Sequence, residues 1–62
     1  MSDASGEAIR RLRHDLANPM AALLAEVQLL LLRADEMDDE MATSLHDMEG
    51  LIRRMREILH ST

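Results

Sequence analysis

Apolar residues recur three or four positions apart from Ile9 through Leu12, Leu16, Met20, Leu23, Val27 and Leu30 to Ala34. That spacing marks one face of an α-helix. A second run, Met41, Leu45, Met48, Ile52, Met55 and Leu59, obeys the same rule and is widened by Leu51 and Ile58 on one flank. Such a broad stripe belongs to a helix with more than one neighbour. Between the runs, Ala34-Asp35-Glu36-Met37-Asp38 is short and polar, suited to a helix–helix turn. The pattern predicts a lead-in over residues 1–5, a helix over about 6–34, a turn over about 35–38 and a helix over about 39–60. Ser5 is the expected cap of the first helix, with Glu7 in its first turn, and Asp38 or Asp39 the expected cap of the second.

A connection this short folds the helices into an antiparallel hairpin, placing Leu30 near Leu45, Leu23 near Ile52 and Leu16 near Ile58. One hairpin leaves much of its apolar surface wet. The flank residues Leu24, Leu31, Leu51 and Ile58 give each helix a second neighbour, a demand met when two hairpins join as a four-helix bundle. The expected architecture is therefore all-α and homodimeric. On these stripes Met20, Met41, Met48 and Met55 read as flexible core filler. Pro19 lies inside the first run, where it removes an amide donor and crowds the carbonyl of Asp15; a kink is expected there, the alternative being a tolerated proline or a break into two shorter helices.

Composition narrows the function. At 62 residues the chain holds one small domain, and without Cys it has neither a disulfide framework nor a thiolate metal site, which makes a partner subunit the expected source of stability. Hydrophobic residues form 47% of the chain, yet none is aromatic, so no platform exists for stacking bases. A net charge of −5 also argues against nucleic acid as partner. Gly6 and Gly50 are far apart and build no phosphate-cradling loop, so ATP chemistry would need another protein. The longest apolar stretch, Met20 to Leu32, contains Glu26 and Gln28 and falls short of a membrane span, and no secretory signal precedes it, so a cytoplasmic, membrane-free setting is expected. All seven basic residues are Arg, in clusters at Arg10, Arg11 and Arg13, at Arg33, and at Arg53, Arg54 and Arg56. In a hairpin the two triplets share one end and the acidic turn takes the other.

His14 points roughly 160° away from the apolar stripe at about 100° per residue, toward solvent. Asp15 adjoins it, Asn18 lies one turn on, and Pro19 follows. The segment His14-Asp15-Leu16-Ala17-Asn18-Pro19-Met20 resembles the H-box, H-[ED]-x-x-N-P-[LM], of the dimerisation and histidine-phosphotransfer domain of sensor histidine kinases. The hairpin extends the resemblance over roughly residues 7–60. It implies that His14 is a phosphoacceptor, its imidazole being nucleophilic when neutral near pH 7. Asp15 would act as general base and orient the ring, and Asn18 would position water when a partner regulator is dephosphorylated. Pro19 would permit a bend linked to switching. Ala21, Ala22 and Ala25 would let a regulator's helix approach, while Arg10, Arg11 and Arg13 would steady a phosphoryl group or steer an acidic receiver domain. A complete kinase continues into an ATP-binding domain that these residues do not include. The chain is thus expected to bind no cofactor itself, with ATP and Mg²⁺ on partner proteins, and to stand as a free module or as a piece of a kinase. The competing reading is a dimerisation or binding module that modulates a kinase or regulator without being phosphorylated. His46, followed by Asp47 but by no Asn or Pro, is a poor second acceptor; His60, level with His14 in the hairpin, lacks the carboxylates that a metal site would need.

Overall fold

The computed structural model describes residues 2–61. Helix α1 covers Ser2–Leu31 and helix α2 covers Asp39–His60, joined through a single 3₁₀ turn at Ala34–Glu36. The helices pack antiparallel: Leu16 shares a groove with Ile58 and Leu59, while further along Gln28 Nε2 donates to Glu49 Oε2 at 3.4 Å. The result is a rod, with Cα extents of 53 × 15 × 10 Å. Its radius of gyration is 15.4 Å, against about 10.6 Å for a compact chain of this length.

Two boundaries differ from the sequence expectation. Helix α1 begins at Ser2, so Ser5 and Glu7 lie within it and the lead-in is helical from its second residue. Serine marks a helix start only where the preceding chain leaves the helix, and here the backbone ahead of Ser5 continues it. At its other end α1 stops at Leu31 rather than near residue 34. There the ladder tightens: the amide of Arg33 donates to the Leu30 carbonyl at 3.0 Å, Glu36 to Arg33 at 3.0 Å and Met37 to Ala34 at 3.2 Å. The tighter 3₁₀ pattern reverses the chain with no residue at positive φ, so the turn needs no glycine. Between these ends α1 runs through Pro19 as one helix, which removes the alternative of two shorter helices.

Helix α2 starts as its sequence predicts. Asp38 adopts extended backbone, and its Oδ1 accepts from the amide of Met41 at 2.8 Å. Asp39 and Glu40 then sit in the first turn, at the positive end of the helix dipole.

The intrachain core consists of Leu24, Val27, Leu45 and Ile52, with Leu31 and Met37 packed against it. This seam inverts part of the expected pairing. Leu24 and Leu31, read as a flank for an outside neighbour, face α2, whereas Leu16, Leu23 and Leu30 from the predicted stripe are exposed. The two stripes of α1 lie only about 90° apart at 100° per residue, so periodicity identifies both and does not say which one faces the partner helix. Leu23 and Ile52 still line one groove, as do Leu16 and Ile58, but Leu30 is displaced from the core by Leu31.

Candidate functional site

The hairpin has two unlike flanks. On one, Leu16 (42% exposed), Leu23 (49%), Met48 (48%), Met55 (45%) and Ile58 (55%) are left facing outward. They line two adjoining apolar grooves that meet at Met55 and continue the core through Val27 and Ile52. Heptad spacing of Met41, Met48 and Met55 keeps this surface on one side of α2.

The opposite flank carries the polar residues. His14 lies about 180° round α1 from Leu23, and Asn18, Ala21 and Ala25 fall within about 40° of His14's direction. All four are exposed, as is Ala22. Across this flank runs a bridge that the sequence reading missed: Glu49 Oε2 accepts from Gln28 Nε2 and from Arg53 Nη2, both at 3.4 Å. Its signal was Gln28 itself, a polar residue interrupting an apolar run at a helix–helix edge.

His14 is freely reachable. Its side chain is 75% exposed and that of Asp15 is 67% exposed, with His14 Nδ1 3.7 Å from Asp15 Oδ1. That separation exceeds a hydrogen bond, so the expected orienting contact is an approach of the two groups rather than a bond. With Nδ1 turned toward the carboxylate, Nε2 is the outward nitrogen. Pro19 sits on the exposed surface immediately after Asn18.

At the open end of the hairpin a shallow groove is lined by Arg10, Arg11, Arg13, His14, Ala17 and His60. Helix α1 supplies the first five and the last turn of α2 supplies His60, so the fold brings together the candidate phosphoacceptor, the first arginine cluster and a second imidazole. Arg13 is half-buried near the seam, and its Nε is shielded from solvent with no hydrogen-bond partner. The second arginine cluster does not join the groove; Arg53 is held by Glu49 at 3.4 Å. His46 is exposed on α2, apart from this groove. Among the described residues no group of three or more His, Cys, Asp or Glu side chains is arranged to hold a metal ion, and no helix is long and apolar enough to cross a membrane.

No protein-family model matches the chain, and no curated protein or solved structure matches it.

Proposed function

We propose that this chain is a phosphoacceptor and dimerisation module of two-component signalling, carrying a phosphoryl group on His14 to or from the receiver domain of a response regulator. The observation that carries the reading is the display of His14: a 75%-exposed imidazole with a carboxylate 3.7 Å away, on the flank opposite the apolar surface. In the transfer, His14 Nε2 attacks the phosphorus of an aspartyl phosphate. The N–P bond forms, the P–O bond to the receiver's carboxylate breaks, and that carboxylate leaves with the electron pair. As the Asp15 carboxylate closes the 3.7 Å to Nδ1, it takes up the proton released from the ring. When phosphate first enters the system, a separate ATP-binding kinase in the cytoplasm supplies it. Asn18, one turn below, orients a water for the regulator's dephosphorylation, and Ala21, Ala22 and Ala25 form a low surface against which a receiver helix packs. Pro19 gives α1 a point of bending between the site and the rest of the helix.

The same proposal assigns the apolar flank to a second copy, completing a four-helix bundle. A compact monomer of 7.0 kDa exposes about 4,000 Å², whereas this hairpin exposes 5073 Å². The excess, about 1,000 Å², is comparable with the roughly 800 Å² that each partner contributes to a standard interface. Association through this flank leaves both copies of His14 pointing outward.

Labelling tests the transfer. The full chain mixed with a phosphorylated receiver domain gains acid-labile phosphate, and the His14→Gln chain gains none while keeping its helical circular dichroism, since His14 is a surface residue. Equal labelling of the two chains, or none of the parent with any receiver from the same genome, refutes phosphotransfer and leaves a dimerisation module that modulates its partner unphosphorylated.

A further inference from the structure

The groove at the open end has a composition that phosphotransfer through His14 and Asp15 does not require. Of its lining residues Arg10, Arg11, Arg13, His14, Ala17 and His60, all but Ala17 carry nitrogen donors, and none carries a carboxylate. The chain has 12 acidic residues to seven arginines, yet among the described residues Arg10, Arg11 and Arg13 form no ion pair. The ion pairs that arginines do form lie elsewhere, at Arg33–Glu36 (3.0 Å) and Arg53–Glu49 (3.4 Å). Arg10, Arg11 and Arg13 thus line one groove with no ion pair to occupy their donors, and an oxyanion is the ligand that such guanidiniums bind best. Arg13 adds a second sign, since its shielded Nε has no acceptor within the hairpin. The end of α2 is also prepared: Ser61 donates its amide to the Glu57 carbonyl and its hydroxyl to the Ile58 carbonyl, each at 3.0 Å. Those two carbonyls are thereby satisfied within the chain, beside His60.

We propose that this groove is a binding site for a phosphate-sized, doubly charged tetrahedral oxyanion, held by Arg10, Arg11, Arg13 and, from the second helix, His60. His60 acts as a positioning residue. It reaches the groove from α2 and donates an N–H to the oxyanion from a side that α1 cannot supply, so the site is complete only when the hairpin is closed. The proposal deepens the phosphotransfer reading and rests on it for the anion's identity, a phosphoryl group arriving at or carried on His14. Binding of the oxyanion itself needs no transfer, which allows the two to be tested apart.

The experiment is a titration of the 62-residue chain with inorganic phosphate at constant ionic strength, followed by the NMR signals of the His60 ring and the arginine Nε–H groups. Saturable binding is expected, with sulfate competing and chloride not. His60→Gln and Arg10→Gln, both surface changes, each weaken binding at least fivefold, while His46→Gln, exposed on α2 and outside the groove, stays within twofold of the parent. On the chain phosphorylated at His14, the same signals are already displaced and added phosphate moves them no further. If phosphate still binds that form as tightly, the oxyanion is a free or receiver-borne one and the site stands. Shifts that are linear in phosphate, that chloride reproduces, or that persist undiminished in His60→Gln overturn the proposal. Saturable phosphate binding in a chain that is never labelled on His14 refutes only the phosphotransfer reading. Labelling of His14 without saturable phosphate binding refutes only the oxyanion site.

Discussion

The division of the hairpin into an associating flank and a reacting flank is tested most directly by Leu23→Ala. Leu23 is 49% exposed in the hairpin, so about half of its side chain remains to be covered when a second copy docks. Full burial of a leucine contributes roughly 1.5–3 kcal/mol, which makes the share lost on association about 1 kcal/mol per copy. A symmetric dimer contains the change twice, for a total of about 2 kcal/mol before any added cost of the cavity. That corresponds to about a 30-fold rise in the dimer's dissociation constant. Leu29→Ala is the matched control. Leu29 is 59% exposed but lies about 120° round α1 from Leu23, and its truncation is expected to change the constant less than about threefold, as for surface positions generally. Both replacements are Leu to Ala within α1, Leu29 in its last turn, and neither lowers helix propensity, so a difference between them reports on association. Sedimentation equilibrium over a range of loading concentrations gives the constants. Equal weakening by the two variants, or a parent chain that stays monomeric throughout, would refute the assignment of the apolar flank to a second copy.

Two further changes probe the frame that holds the flanks in place, each measured by denaturant unfolding at matched protein concentration because the proposed association would add to stability. Asp38→Ala removes the acceptor for the Met41 amide, a 2.8 Å bond, and is expected to destabilise by about 1 kcal/mol; an unchanged midpoint would show that the cap is dispensable. Gly50→Ala should act in the opposite direction, since a methyl group there meets nothing within 4 Å and an interior glycine costs roughly 0.5–1 kcal/mol relative to alanine. A loss of stability would place an unrecognised neighbour against that face of α2.

Much of the architecture was legible because each helix carries its own punctuation. The acidic run from Asp35 to Glu40 cannot be buried, and Asp38 is a cap by chemistry as well as by position, so the turn and the start of α2 followed from residue types alone. The seam was harder to read. Leu16, Leu23 and Leu30 and their neighbours Leu24 and Leu31 are chemically alike, and only the crossing of the two helices decides which set is enclosed. A chain that associates must display two apolar stripes per helix, and the periodicity that reveals them is silent about their assignment. The candidate site shows the same division. His14, Asp15 and Asn18 lie within a turn of one another and are visible as a local pattern. The convergence of His60 on the first arginine cluster depends on where a helix 22 residues long ends relative to one 30 residues long.

That dependence links the acidic turn to the arginine-rich end of the rod. In an antiparallel pair the residue of α2 that faces a given position on α1 is fixed by the length of the connection. One residue more or fewer in the turn shifts α2 by about 1.5 Å and rotates its presented face by about 100°. The features that fix the length are all local to the turn: the 3₁₀ bonds from Arg33 to Met37, the Arg33–Glu36 ion pair at 3.0 Å, and the Asp38 cap. Met37 adds an apolar anchor, its side chain packed against the same core that Leu45 and Ile52 complete. Rotation by one residue would carry Ile52 out of that core and His60 out of the groove together. The core therefore opposes any slip, and the same hydrophobic term that closes the hairpin sets the register that places an imidazole from the last turn of α2 beside His14.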